Sequence, residues 1–298
     1  MAIAGVGAAG GGPVRWPGGG APPRLRSYDR FTTIAVAAGL EAAAAAGWSA
    51  DDLAGDRTAL ALGTAFGSHA TNEEYYQGVL GRAAVSPRLF TYTLPSSPLG
   101  ELSILWKQTG AQDTRCAGWT SGAAALEAAL ARIRTGAADR ALCIGADVPG
   151  PAAAAAVAAA AGPVEESAVA LALAPAGEST AEGGAGGATV EAVVSAYGTE
   201  RAADCVRQSL HIARINAALV DRALVAGPAT LEVPAAAALS AAGLRAPAAS
   251  APDAARAMGA APLVAAAALA AAPAASWRVA TVLTLCYCGA VSSLVLKR

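Results

Sequence analysis

The sequence predicts an α/β protein in which a mostly parallel β-sheet is covered on both faces by helices. Short apolar runs alternate with longer helical segments along the whole chain, a pattern that calls for crossover connections around a buried sheet. The alternation also runs twice. It restarts after a Gly-, Ser-, Thr- and Glu-rich stretch at 178–187, which suggests duplicated halves, 1–182 and 183–298, of one layered unit.

In order along the chain, residues 2–8 read as a buried strand and the Gly/Pro-rich 10–23 as a loop. Residues 28–47 make a helix that Asp29 can cap, with Ile34, Ala35, Ala38, Leu40 and Ala42 supplying its apolar surface. Residues 58–64 (TALALGT) form a strand, 68–80 a helix, and 87–94 extended chain after a turn at Gly81. A helix over 95–109 carries proline near its start and ends at Gly110. A strand at 113–117, a long helix at 121–135 closed by Gly136, and a strand at 140–145 come next. An Ala-rich helix at 152–161, introduced by Pro151, and a strand at 167–174 complete the first series. The second series has strands at 188–197, 222–226, 277–285 and 290–296, with helices at 202–217, 232–242 and 254–272.

Composition removes several classes of function. The 298 residues are 55% hydrophobic and 14% charged, with a formal net charge of -1. Such a balance excludes a dedicated nucleic-acid binder, which needs clustered positive charge to displace counterions. The mean hydropathy of +0.44 comes from alanine. The longest apolar runs, 152–162 and 259–275, are Ala-dominated, and Pro262 and Pro273 interrupt the second. A membrane span needs ~20 strongly apolar residues, so both read as buried helices and no membrane partner is expected. Residues 1–12 lack the basic and long apolar regions of a signal peptide. Cys116, Cys143, Cys205, Cys286 and Cys288 are an odd number in a long chain, which fits reduced thiols. Cys286 and Cys288 lack a second pair at zinc spacing, and His69 and His211 are remote in sequence. The expectation is a soluble cytoplasmic protein with no metal and no cofactor.

Three motifs look chemical. Gly5-Val6-Gly7-Ala8-Ala9-Gly10 fits a dinucleotide fingerprint, but GGPVRWPGGGAPP follows it and cannot start the helix whose N-terminus would face a pyrophosphate. Gly118-Trp119-Thr120-Ser121-Gly122 sits between a strand and a helix, where nucleophile elbows occur, yet Ser121 lies one position late for G-x-S-x-G. His69 and His211 read as structural histidines, so a general base is scarce.

From Asp29 to Val148 the chain resembles the β-ketoacyl synthases of the thiolase superfamily. The segments that carry the resemblance are DRFTTIAVAAGLEAA, ALALGTAFGS, VSPRLFTYTLPSSPLGELSI, TRCAGWTSGAAALEAALARIRTG and RALCIGADV. In the second half LVAGPAT, AMGAAPLVAAAALAAA and LCYCGAVSSLVL stand, in order, where the family's last three motifs lie. The resemblance implies a thiolase-like fold of two pseudo-symmetric βαβαβ halves layered α-β-α-β-α. Members acylate a cysteine at a helix N-terminus and use two histidines in malonyl decarboxylation. Here the cysteine position falls on Trp119, the first histidine on Ala226, the second on Arg256, and the accompanying lysine near Ala251.

The resemblance therefore implies a subunit without chemistry of its own. It looks like the chain length factor of type II polyketide synthases, which pairs with an active ketosynthase and takes chains presented by an acyl carrier protein. The N-terminal cap at 15–27 and the segment at 162–169 are trimmed, which resembles the short factors of highly reducing, polyene-making systems. On that model Asn72, Tyr76 and Leu80, on one helix face, and Leu89 line the chain's tunnel, and Trp119 fills the vacant active site; the plain alternative makes Tyr75, Tyr76 and Trp119 core aromatics, which for the tyrosines is an equal reading. Arg115, Cys116 and Ala117 lie in the strand that pairs with the partner, beside helix 95–109. Arg82 and Arg88 stand near the entrance, where they face the carrier protein or are ordinary solvated arginines. Two alternatives stay open: a self-standing acyl-transferring or hydrolytic enzyme with Ser121, Cys116 or Cys286 recruited as nucleophile, and a pure scaffold.

Overall fold

The Gly5 and Gly7 pair belongs to packing, because each glycine lies where strand β1 (Ala2–Ala9) meets helix α1 (Arg30–Ala45). A Cβ on Gly7 would stand 2.2 Å from the carbonyl of Ala38, and one on Gly5 2.3 Å from that of Ala42. Strand and helix therefore touch backbone to backbone, and the alanines of α1 keep that face flat. Asp29 starts the helix as expected, its carboxylate accepting the Thr32 N–H at 2.8 Å.

The computed structural model describes residues 1–17, 28–81, 86–177 and 187–298. After α1 come α2 (Ala50–Leu53), β2 (Thr58–Gly63), α3 (His69–Leu80), α4 (Pro87–Phe90) and α5 (Ser97–Trp106). Strand β3 (Gln112–Arg115), α6 (Ser121–Arg134), β4 (Arg140–Asp147), α7 (Pro151–Ala161) and β5 (Ser167–Ala174) follow. The second series is β6 (Thr189–Tyr197), α8 (Ala202–Ala213), β7 (Arg222–Val225), α9 (Glu232–Ala241), β8 (Ala248–Ser250), α10 (Pro252–Arg256), α11 (Ala261–Ala271), β9 (Val279–Leu285) and β10 (Ala290–Lys297).

The ten strands among the described residues join in the order β3-β2-β4-β5-β1-β6-β10-β9-β7-β8. Adding five to each strand number converts the first five positions, read outward from the centre, into the last five. The seam between them is thin: β1 pairs with β6 only at Ala2 and Thr189, with the Ile3 N–H donating to the Ala188 carbonyl at 2.9 Å beside it. The expected boundary at 182/183 lies outside the described residues, as does most of the 178–187 loop.

Side-chain alternation separates the layers. In β2, Leu60 and Leu62 join α1 and α5 in an outer cluster with Phe31, Ile34, Leu99 and Leu102. Ala59 and Ala61 face the opposite way into a central cluster with Leu126 and Leu130 of α6 and Leu263 and Leu269 of α11. Val206, Leu210 and Leu239 of α8 and α9 cover Val194, Leu283 and Val295 on the far side. The result is five layers, α-β-α-β-α, with the thiolase-like arrangement of the helices. Each large aliphatic side chain buried this way contributes ~1.5–3 kcal/mol.

Several expectations need correction. The sheet is mixed: β2 runs parallel to β3 and β4, and β7 to β8 and β9, while the central pairs are antiparallel. Residues 286–289, between β9 and β10, are too few for a parallel crossover. Residues 87–94 are not extended, since Pro87 opens the turn of helix α4. Helix α5 stops at Trp106 with Lys107 in the left-handed conformation, and Gly110 instead allows close approach, a Cβ there lying 2.4 Å from the Thr58 carbonyl. Helix α7 is largely exposed, with Ala153 and Ala161 its buried residues, whereas α11 is buried as expected. The helix foreseen at 254–272 is broken at Met258, whose φ is +46°. Strand β8 was not foreseen; all three of its residues are exposed, and AAS carries no apolar signal.

Gly7→Val is expected to force α1 away from β1 and to lower stability by ~1–3 kcal/mol or more. A drop in the urea midpoint at unchanged slope checks it, and an unchanged midpoint would contradict the close approach.

Candidate functional site

The elbow between β3 and α6 is pinned by hydroxyls and amides. Residues Gly118–Thr120 form a single 3-10 turn before α6. Ser121 is fully buried; its hydroxyl lies 2.9 Å from the Thr64 carbonyl and 2.6 Å from that of Gly118, and accepts the Ala117 N–H at 2.8 Å. It locks the helix start to the end of β2, with its hydroxyl committed to main-chain partners.

Trp119 follows Gly118 and is buried, 6% exposed. Its indole N–H donates to the Ala255 carbonyl at 3.3 Å, and its ring meets Tyr287 edge-on with centroids 6.2 Å apart. The Tyr287 hydroxyl donates to the Ala160 carbonyl at 2.7 Å and contacts the Thr230 hydroxyl. Tyr287 thus closes over the indole while tied to the end of α7. Trp119 is accordingly a core aromatic.

Ala226 is fully buried and shares one apolar cluster with Trp119 and Ala254, with half-buried Ala251 packed against it. Arg256 parts company from this group. Its guanidinium pairs with Glu165 at 2.8 Å, and both side chains are more than half exposed. A charge has no place in that apolar cluster, so the arginine turns outward. His69 is exposed and packs edge-on against Phe66, and His211 is exposed in the last turn of α8.

The residue that holds the elbow together is Asp147, at the end of β4 and fully buried. It accepts the Thr64 hydroxyl at 2.8 Å and the N–H groups of Ala65, Phe66 and Gly259 at 2.9, 3.0 and 2.7 Å. A Cβ on Gly259 would stand 2.5 Å from the Ala65 nitrogen, and left-handed Met258 turns the chain so that the Gly259 N–H points at the carboxylate. Burial pushes the Asp147 carboxyl up to about 6, opposed by these hydrogen bonds. The sequence did contain a signal: a lone acid ending an otherwise apolar strand, RALCIGAD.

The expected tunnel residues divide. Asn72 and Tyr76 line an open groove of about 630 Å³ together with His69, Glu73, Tyr75, Phe90, Thr93 and Ala152. Tyr75 and Phe90 form its aromatic wall, with centroids 5.8 Å apart. Tyr76 is 60% exposed and Leu80 63%, so neither is core; Leu80 and half-buried Leu89 lie outside that groove's lining. Arg115, Cys116 and Ala117 lie at and just beyond the end of β3, whose other edge has no neighbouring strand among the described residues. Asp113 of that strand pairs with Arg115 at 3.0 Å and with Arg132 at 3.1 Å. Arg82 lies outside the described residues, and Arg88 is exposed in α4.

Residues 18–191 match the family model "Beta-ketoacyl synthase, N-terminal domain". The chain belongs to the β-ketoacyl synthase family. Nodulation protein E of Rhizobium leguminosarum bv. trifolii is 34% identical over 128 residues, 42% of this chain and 32% of that protein; the match spans about a third of that relative's length. Three solved structures share the ketosynthase fold. The complex AntDE:AntF, a type II PKS acyl-carrier protein with its ketosynthase bound to the hexaketide, gives a TM-score of 0.82 at 16% identity, covering 99% of this chain and 98% of that one. A β-ketoacyl synthase from Burkholderia phymatum STM815 gives 0.77 at 18%, with 96% and 85% covered. The ishigamide ketosynthase/chain length factor gives 0.73 at 22%, with 93% and 82% covered. No helix among the described residues is long and apolar enough to cross a membrane.

In this chain, Asp147→Asn turns an amide NH2 toward a backbone donor and is expected to cost on the order of 2–4 kcal/mol. The wild-type carboxyl holds its proton more tightly folded than unfolded, where it has the ordinary 3.8. Its stabilising contribution is therefore greatest below pH ~4 and falls as pH rises through about 6. Denaturation of both proteins from pH 4 to 7 checks this, and a gap that widens with pH would contradict it.

Proposed function

We propose that the chain is a chain length factor, a ketosynthase-like subunit without catalytic residues, which pairs with an active ketosynthase and sets the length of the polyketide. The observation that carries this reading is the plugged elbow. Trp119 fills the nucleophile position with its N–H spent on Ala255, Ala226 offers only a methyl group, and Arg256 is paired with Glu165 at the surface. The recruited-nucleophile reading has less support. Ser121 is locked, and burial pushes the Cys116 and Cys286 thiols up, which leaves little thiolate at neutral pH.

A partner surface is the second support. Six large apolar side chains, Tyr76, Val79, Leu80, Phe90, Leu94 and Ile104, are exposed between residues 76 and 104, and β3 presents an open edge nearby in sequence. Exposed apolar surface and unpaired strand edges are features that subunits cover. An obligate interface of this kind buries more than ~2,000 Å². The acyl carrier protein would then deliver the chain to the partner's cysteine. The growing chain would extend past that cysteine toward Asn72, Tyr76, Leu80 and Leu89. Side-chain volume there limits it, since overpacking costs ~1–3 kcal/mol, about ten- to a hundredfold in partitioning between elongation and release. The trimmed loops favour the short, polyene-type subclass.

Incubated with acyl thioesters, the chain is expected to remain unmodified; covalent acylation at Ser121, Cys116 or Cys286 would establish the enzyme instead. In the reconstituted pair, Tyr76→Trp is expected to shorten the product and Tyr76→Ala to lengthen it, measured by mass spectrometry. Unchanged length in both would leave only a scaffold role. Leu80→Lys combined with Ile104→Glu is expected to abolish co-purification with the ketosynthase.

A further inference from the structure

The β9–β10 turn holds two thiols in contact. Cys286 and Cys288 sit two residues apart, with the Cys288 thiol 3.0 Å from the Cys286 sulfur. The turn fixes that spacing: the Gly289 N–H donates to the Cys286 carbonyl at 2.9 Å, and the Cys286 N–H to the Ala290 carbonyl at 2.9 Å. Gly289 has φ +87°, a conformation that suits glycine and keeps the turn closed.

The two thiols differ in access. Cys288 is exposed and Cys286 buried. Gly118 packs directly on the inner sulfur, and a Cβ there would stand 2.4 Å from the Cys286 Sγ. The main-chain N–H of Trp119 donates to the same sulfur. The elbow's main chain thus rests on the inner thiol while the outer one meets solvent.

We propose that Cys286 and Cys288 are a site of oxidative modification, a vicinal dithiol that hydroperoxides convert to an intrachain disulfide. The exposed Cys288 sulfur attacks the peroxide O–O bond, forming a sulfenic acid and releasing water or an alcohol. The Cys286 sulfur then displaces the sulfenic oxygen, which leaves as water. Two thiol protons and two electrons leave the chain, and one peroxide is reduced. Burial pushes the Cys286 thiol up, which orders the steps by making the outer sulfur the first to react. Cys143 and Cys205 are buried away from this turn in β4 and α8 and take no part. The site is independent of the chain-length reading, because it needs neither a partner nor a substrate.

The test uses the full chain, alone or with its co-expressed ketosynthase, treated with hydrogen peroxide and then a maleimide. Trypsin releases both thiols in one peptide, 279–297, for mass spectrometry. The expected result is loss of two hydrogens and no maleimide on that peptide, with two maleimides regained after dithiothreitol. Cys288→Ser is expected to abolish the linkage and to leave Cys286 labelling at least tenfold more slowly than Cys288 does in wild type. Two maleimides on the peroxide-treated peptide would overturn the proposal. So would Cys288 ending as sulfinic acid or joined to Cys116.

Discussion

The placement of one buried carboxylate constrains the centre of this protein. Asp147 brings three separate chain segments to a point: the loop after β2, the end of β4, and the turn that starts α11. Removing a carboxylate from water is expensive, and only four well-placed donors make it tolerable. Those donors are available because the backbones approach closely. Gly259 has no side chain to hold the Ala65 amide away, and Met258 accepts a left-handed conformation that costs on the order of 1–3 kcal/mol elsewhere.

The same constraint holds the elbow independently of the side chain at position 119. Thr64 hands the network from Asp147 to Ser121, whose hydroxyl fixes the first turn of α6. Nothing in this chain of contacts uses the side chain at 119. A residue there is free to become an indole that fills space, provided it finds a hydrogen-bond acceptor, and the Ala255 carbonyl supplies one. The elbow is thus held by atoms other than those of the side chain at 119.

The outer surface is organised by a similar division. Inward, α1 and α6 bury small or aliphatic faces against the sheet; outward, α3, α4 and α5 leave tyrosine, leucine, phenylalanine and isoleucine in solvent. A chain with 14% charged residues has little polar cover to spare, yet these aromatic and branched side chains concentrate on one stretch between residues 76 and 104. Helix α7 is a contrast: its exposed face is alanine, which offers little area, and its C-terminal turn serves to anchor Tyr287.

The sequence by itself determined the alternation of strands and helices, apart from α2, α4, β8 and the break at Met258. The apolar runs TALALG and RALCIGAD, the Asp29 cap, and the restart of the pattern in the second half are local signals, produced by local hydrogen bonds and by the burial of central strands on both faces. The identities of Trp119, Ala226 and Arg256 were equally legible, since identity needs no coordinates. Strand direction, the break at Met258, the exposure of α7 and the outward turn of Arg256 were decided by tertiary structure alone. These depend on which surfaces meet: a four-residue link forces an antiparallel pair, and a carboxylate over a hundred residues away demands an amide where a helix would otherwise run. The contact between the Cys286 sulfur and Gly118 belongs to the same class, because only the folded sheet brings the last hairpin onto the elbow.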